Sequence, residues 1–351
     1  MDYTKELHRT RNIPLTVVEH ADSRIILLRA DLWEAGVKTT IGQCLVAHEI
    51  ETGRITNSTR ALVVHGAGNT VTSVQIAAEE QGLDVEVIAV VYAETSRSIR
   101  ERLQRRGIRM VAEAQRAQGR EGRMTTAEEL CQREKGYVMI EQHEQPLIID
   151  IQRETLGQRI AEEVPEATHF IAGVGTGGTV FGIGSALRNV APQVRVVALE
   201  GVGSTLSLWH AYCGAQHLAF KEQEQAIAAA LRTYAAAGML TKLTADSSRP
   251  PDQWFEIDIN FPPDVSGTVG IEGLGVGGPT QLILDNITSL DEVRIVTDVQ
   301  ARDGVDALAE HEIYSVESAG ANFFTALGIA NELQARGEKP GTIISVVTAK
   351  K

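Results

Sequence analysis

Short apolar runs rich in β-branched residues recur along the chain at 61–65, 85–92, 169–173, 194–199, 293–297 and 342–347. Runs that are apolar on both faces predict strands buried in a parallel sheet. Between them, apolar residues fall at helical spacing over 70–81, 95–106, 125–135, 178–190, 299–310 and 318–336. Strand and helix alternating in this way predict an α/β fold with largely parallel sheets. At 351 residues the chain exceeds the roughly 250–300 at which a single core divides, so two lobes with a cleft between them are expected. The polar, glycine-containing stretch 115–122 and the Pro/Asp/Ser-rich stretch 245–263 read as loops, and a short strand is expected at Ile313.

Composition narrows the partners. With 43% hydrophobic and 23% charged residues the chain can bury a sizeable core in water. A net charge of −13 opposes binding to nucleic acid or to an anionic membrane, so a small molecule is the expected partner. Cys44, Cys131 and Cys213 are odd in number and far apart, which indicates neither a disulfide framework nor a cysteine zinc site, and no metal is expected. The first residues lack a signal-peptide apolar core, and no run approaches the roughly 18 apolar residues of a membrane span; a cytoplasmic protein is expected.

The sharpest local feature is Gly173-Val174-Gly175-Thr176-Gly177-Gly178-Thr179, set between a predicted strand and a predicted helix. Glycines let backbone N–H groups approach an anion closely, the helix N-terminus adds partial positive charge, and Thr176 and Thr179 add hydroxyl donors. A phosphate suits such a loop, whereas the lysine of a nucleotide P-loop is missing. A tight turn without a ligand is the plain alternative. A dinucleotide site is another, with Glu200 as the one acidic residue placed to meet a ribose. A second loop, Gly66-Ala67-Gly68-Asn69-Thr70, also follows a strand and opens a helix, where Asn69 could serve simply as a cap. Of the eight lysines, only Lys38 sits among small and apolar residues, next to a helix start. Desolvation there would lower its basicity and suit Schiff-base chemistry, although an ordinary half-buried lysine reads the same way. Ser318 opens the last predicted helix, where it could be a cap, and Gly273-Leu274-Gly275-Val276-Gly277-Gly278-Pro279 reads as a tight, mobile loop.

Taken in order, the lysine loop, Gly66–Thr70, Gly173–Thr179, the late glycine loop and the Ser318 helix start resemble the fold-type II pyridoxal-phosphate enzymes, the group of cysteine synthase and cystathionine β-synthase. The segment from Gln142-His143-Glu144-Gln145-Pro146 to Thr155-Leu156-Gly157 is similar to that family's Gln-Phe-x-Asn-Pro…Thr-Thr-Gly, and 194–204 to its Val-x-Val-Glu-Pro-x-Ser. The resemblance implies a two-domain α/β fold with parallel, helix-flanked sheets in both lobes. A smaller mobile lobe would span 40–145, and a larger cofactor-binding lobe 1–39 plus 146–351. It further implies a homodimer.

The same resemblance assigns roles by position. Lys38 would bind the cofactor covalently and act as acid and base at the substrate Cα. Asn69 would meet the ring hydroxyl of pyridoxal 5'-phosphate, Gly175, Thr176, Gly177, Gly178 and Thr179 its phosphate, and Ser318 its ring nitrogen. Gly66, Ala67, Gly68, Thr70, Gln142 and Gly273 would lie near the substrate. A serine facing the ring nitrogen gives a moderate electron sink, which favours chemistry at Cβ. The expected reaction is β-replacement on an activated serine-type amino acid through an aminoacrylate, with a serine/threonine-type dehydratase as the alternative and a catalytically idle binding protein as the third reading. The dehydratase reading draws on Ser318-Ala319-Gly320-Ala321-Asn322, which resembles the Ser-Gly-Ala-Asn of threonine dehydratases. Two departures stand out. Where the family has Thr-Ser-Gly-Asn-Thr to grip the substrate carboxylate, Gly66 and Ala67 replace the two hydroxyl donors. His143 replaces the aromatic residue after Gln142. The altered carboxylate loop points to a specialised amino acid as the product, while His143 reads either as a polar group at the substrate or as a plain loop histidine.

Overall fold

The structure is a computed structural model that describes residues 3–66, 68–93, 95, 97–114, 119–260, 271, 273–275 and 278–350. Its strands are β1 Leu15–His20, β2 Ser23–Leu28, β3 Ala61–His65, β4 Glu86–Tyr92, β5 Arg109–Ala114, β6 Tyr137–Met139, β7 His169–Gly173, β8 Arg195–Gly201, β9 Leu240–Ala245, β10 Phe255–Asn260, β11 Glu292–Val296 and β12 Thr342–Val346. Among the described residues these form three sheets. The larger one has the order β1-β2-β12-β7-β8-β11 and the smaller β5-β4-β3-β6, while β9 and β10 pair alone. Every pairing in the two main sheets is parallel except that of β1 with β2.

The strands that the apolar runs predict form the sheet centres. All five residues of β3 and of β12 are buried, as a parallel strand covered on both faces requires. Between the two sheets runs a continuous helical stretch, Leu147–Gln152, a π-turn at Arg153–Gly157, and Gln158–Glu163. Its residues Ile148 and Ile151 belong to the core of the smaller sheet, and Leu156 and Ile160 to that of the larger. Helix Thr4–Thr10 adds a second tie, with Arg9 Nη2 2.8 Å from Glu80 at the end of the helix that follows β3.

Three expectations need correction, and one hairpin is added to them. Residues 119–122 are not loop but the start of helix Gly119–Arg133, six residues ahead of the predicted start at 125; 115–118 lie outside the described residues. The stretch 245–263 holds β10, antiparallel to β9 with Phe255 opposite Ala245. The apolar-polar alternation of Phe255-Glu256-Ile257-Asp258-Ile259-Asn260 carries this strand, although the turn-rich residues before it dominate the composition. Residues 261–263 lie outside the described residues. Ile313 is in no strand; the nearest sheet-like contact is an isolated antiparallel bridge between Ser315 and Lys350. Finally, the β1–β2 hairpin was not anticipated. Its two-residue turn, Ala21-Asp22, takes φ of +50° and +60°, the left-handed pair that matches strand twist but without the glycine that usually announces it.

Candidate active site

Lys38 ends a 3-10 turn, Gly36–Lys38, and caps the N-terminus of helix Thr39–Glu51. Three neighbours fix this turn. Val37 N–H donates to the Thr348 carbonyl at 2.8 Å, Gln152 Nε2 donates to the Val37 carbonyl at 3.0 Å, and Ser73 Oγ donates to the Lys38 carbonyl at 2.8 Å. Thus the segment just after β12, the inter-sheet helix and the helix after β3 all hold the lysine backbone. Its side chain points to the glycine loop, with Nζ 3.3 Å from Thr176 Oγ1. Desolvation by burial lowers its pKa to about 8, so near neutral pH a useful fraction of the amine is unprotonated and nucleophilic.

The loop itself connects β7 to helix Gly178–Val190, with Gly177 at the N-cap and φ of +89°. A Cβ on Gly177 would stand 2.6 Å from the Phe181 ring, and one on Gly175 2.8 Å from the Gly273 carbonyl. Backbone therefore approaches backbone here, and side chains other than Thr176 and Thr179 are shut out. The segment at 273–275 lies alongside: Gly275 N–H donates to the Val174 carbonyl at 2.7 Å, and Leu274 takes the space that the missing side chain of Gly173 leaves. The free N–H groups of the first helical turn and two buried threonine hydroxyls form a donor set fit for a phosphate.

Two residues expected as possible caps do not cap. The N-cap of helix Asn69–Glu80 is Gly68, and Asn69 is its first helical residue. Ser318 lies inside helix Glu317–Ala335, whose N-cap is Val316. Its buried Oγ is 2.8 Å from Thr348 Oγ1, the residue whose carbonyl orients Val37. Gly273 is close to it, since a Cβ there would stand 3.4 Å from Ser318 Oγ. Gly66 and Thr70 converge on Gln142: Thr70 Oγ1 donates to Gln142 Oε1 at 2.6 Å, and a Cβ on Gly66 would stand 3.7 Å from Gln142 Nε2. Ala67 lies outside the described residues.

Glu200 is not placed for a ribose. It is buried, and its carboxylate accepts the N–H groups of Leu206 at 2.7 Å and Ser207 at 3.0 Å and the Tyr234 hydroxyl at 3.1 Å. Burial raises its pKa against these hydrogen bonds; it is an internal fastener for helix Leu206–Ala215. The Ser318–Asn322 run also has a packing explanation. A Cβ on Gly320 would stand 2.1 Å from the Ala301 carbonyl, and Asn322 Nδ2 donates to the Val346 carbonyl at 2.8 Å. These residues seat the helix and give no separate support to a dehydratase. Ser73, Gln152 and Thr348, which hold the lysine turn, carry no motif and were missed; only their distances reveal them.

With this geometry in view, residues 34–249 match the family described as "Pyridoxal-phosphate dependent enzyme". The chain belongs to that family. The matched span holds Lys38, Asn69, Gln142 and the Gly173–Thr179 loop, and the donor set and desolvated amine fit pyridoxal 5'-phosphate, the cofactor of the enzyme. A cysteine synthase of Helicobacter pylori is 28% identical over 172 residues, which cover 49% of this chain and 55% of that protein. A cysteine synthase of Haemophilus influenzae is 29% identical over 209 residues, covering 58% of this chain and 65% of that one. In these two alignments the chain spans between about half and two thirds of the relatives' length. Among solved structures, an O-acetylserine dependent cystathionine beta-synthase from Helicobacter pylori superposes with a TM-score of 0.72 at 20% identity, covering 99% of this chain and 96% of that one. An O-ureido-L-serine synthase also reaches 0.72, at 21% identity and with 99% and 90% covered. The shared two-sheet fold places the enzyme among the fold-type II members. No helix among the described residues is long and apolar enough to cross a membrane.

Proposed function

We propose that the enzyme catalyses β-replacement on an activated serine-type amino acid, yielding a specialised amino acid rather than cysteine itself. The observation that carries this reading is Lys38 Nζ at 3.3 Å from Thr176 Oγ1, a desolvated amine inside the glycine cradle. The cysteine synthases among its relatives and the O-acetylserine and O-ureido-L-serine in the names of its structural neighbours support the substrate class. When bound, pyridoxal phosphate supplies an electron sink that acidifies Cα and permits loss of the β-substituent.

The residues divide the remaining work. Gly175–Thr179 would hold the phosphate through backbone N–H groups and two hydroxyls, Asn69 would meet the ring hydroxyl and Ser318 the ring nitrogen. Lys38 Nζ takes the proton from the substrate Cα and returns it after the nucleophile has added at Cβ. Gly66, Gly68 and Thr70 face the substrate carboxylate, and Thr70 is oriented by Gln142. Glycine and alanine at 66 and 67 bring no hydroxyl donors, and the Gly66 N–H is already given to the Val90 carbonyl at 3.0 Å, which lowers the polarity of the carboxylate pocket. The smaller lobe, 40–145, closes on the larger over bound substrate, and the enzyme works as a cytoplasmic homodimer.

The test is the visible absorption of the cofactor-loaded protein beside Lys38→Ala during titration with serine, O-acetylserine and O-phosphoserine, followed by sulfide, thiol or amine. The expected result is a band lost in Lys38→Ala that shifts with one activated serine and recovers when a nucleophile is added. Recovery accompanied by ammonia without any nucleophile would make the protein a deaminase instead. Rapid turnover of O-acetylserine with sulfide would return it to cysteine supply.

A further inference from the structure

At the C-terminal edge of the smaller sheet, side chains on successive residues turn opposite ways. Gln142 bonds Thr70, while its neighbours Glu141 and His143 both turn to His65, the last residue of β3. Three ligating side chains thereby meet outside the lysine site. His65 is fully buried, its Nε2 is 2.9 Å from Glu141 Oε2, and the His65 and His143 ring centroids are 4.6 Å apart. His143 N–H also donates to Glu141 Oε1. Although burial pushes the Glu141 carboxyl up, its contacts with His65 and His143 outweigh this and hold its pKa at about 2.

We propose that His65, Glu141 and His143 bind one divalent metal ion of the zinc class. Two imidazoles and a carboxylate suit zinc and its first-row neighbours, whereas calcium and magnesium require oxygen ligands. Metal bonds of ~2.0–2.2 Å in tetrahedral array separate ligand atoms by about 3.3–3.6 Å. The candidate atoms here all lie within 4.8 Å of one another; His65 to Glu141 is 2.9 Å and His143 Nδ1 to Glu141 Oε1 is 3.8 Å. Small rotations of the two half-buried side chains complete the set. His65 supplies a fixed ligand from the end of a buried strand, while Glu141 and His143 keep enough exposure to admit an ion and leave a fourth position to water. Glu141 and His143 stand two residues apart in the turn that follows β6, where the Glu141 carboxylate accepts the His143 and Glu144 N–H groups, and the third ligand comes from the end of the adjacent strand β3. A bound ion ties the segment that carries Gln142 to the strand end that leads into Gly66. The cysteine pattern gives no hint of this group, and His65 lies 76 residues before Glu141. The inference does not depend on the reaction proposed above.

The experiment is calorimetric titration of the metal-depleted, cofactor-loaded protein with Zn²⁺, with Mg²⁺ as the control, for the wild type, Glu141→Gln and His143→Gln. His65→Gln is a third variant, but as a fully buried site it can fail to fold, so the two half-buried positions carry the test, with circular dichroism to verify their fold. One Zn²⁺ per chain is expected, no Mg²⁺ heat, and at least tenfold weaker Zn²⁺ binding in each variant, since loss of an outer-shell partner alone costs 10–100-fold. Absence of stoichiometric zinc uptake, or uptake that both variants retain unchanged, would overturn the proposal and leave a hydrogen-bonded cluster only.

Discussion

Ser318 Oγ lies 2.8 Å from Thr348 Oγ1, and the carbonyl of the same threonine accepts the N–H of Val37, the residue before Lys38. One residue thus sets the position of two others that the proposed chemistry needs together. Thr348→Val keeps the carbonyl and removes the hydroxyl, so the expected loss is one buried hydrogen bond, about 0.5–1.5 kcal/mol by urea unfolding. Weaker cofactor binding should accompany it, and Thr348→Ser should restore both. Unchanged cofactor affinity in Thr348→Val would show that the pair serves packing alone.

Lys38 gives a pH dependence whose sign can be worked out. Its folded pKa of about 8 lies below the ordinary value of 10.5, so between these limits the unfolded chain binds more protons and stability rises with pH. Below pH 8 the full cost of burying the charge is present. Lys38→Met should therefore stabilise the cofactor-free protein at pH 7 by about 1–3 kcal/mol, with the gain fading as pH climbs from 8 toward 10.5. Urea midpoints across that range check it, and a gain independent of pH would mean that the lysine head is solvated.

The glycine cradle should tolerate no side chain. Gly177→Ala meets both a φ of +89° and the Phe181 ring, and Gly175→Ala meets the Gly273 carbonyl. Each should cost roughly 1–3 kcal/mol in stability and reduce cofactor affinity more than tenfold, measured by equilibrium dialysis. Gly214→Ala, with nothing within 4 Å of its Cβ, is the control and should bind cofactor normally.

Glu200 offers a test against a dinucleotide site. Glu200→Ala strands the Ser207 N–H and the Tyr234 hydroxyl in the interior and leaves the Leu206 N–H only its 3.3 Å bond to Ser204 Oγ. With about 1–3 kcal/mol for a buried group left unpaired, a loss of about 2–4 kcal/mol is expected in urea unfolding. Tyr234→Phe should cost about 1 kcal/mol. A Glu200→Ala protein of wild-type stability would refute the fastening role.

Gln142 ties the helix Asn69–Glu80 to the segment after β6 through its bond to Thr70. Under the proposed reaction, Gln142→Ala should raise the KM for the amino acid at least tenfold with a smaller change in kcat. Equal losses in both parameters would place Gln142 in the chemical step instead.

What the sequence discloses and what it conceals follow from the range of the interactions. Helix Gly178–Val190 and β7 coincide with the predicted bounds because strand, glycine loop and helix start are all local signals. Lys38 is legible through its small and apolar neighbours. By contrast, Ser73, Gln152 and Thr348 hold the lysine turn from 35 to 311 residues away, as ordinary polar residues that only folding brings near. β10 is written in a plain alternation but hidden by the Pro and Asp residues before it. The Ala21-Asp22 turn places an alanine at positive φ, which alanine seldom adopts, and lacks the glycine that marks such turns.

The last strand of the larger sheet has one more effect. β12 lies between β2 and β7, with Ile344 paired to Ile26 on one side and to Phe170 on the other. The free edge of β2 therefore waits for a partner made about 300 residues later, some 15–60 s at ribosomal rates of roughly 5–20 residues per second. The smaller sheet, drawn from residues 61–139, meets no such delay. During synthesis the chain should carry one finished half and one sticky, unpaired hairpin, which makes the nascent protein a natural client for chaperones that shield apolar strands. Thr348 lies two residues beyond β12, so the turn that bears Lys38 takes its final shape only after that strand has been made, and cofactor capture is deferred until β12 is in place.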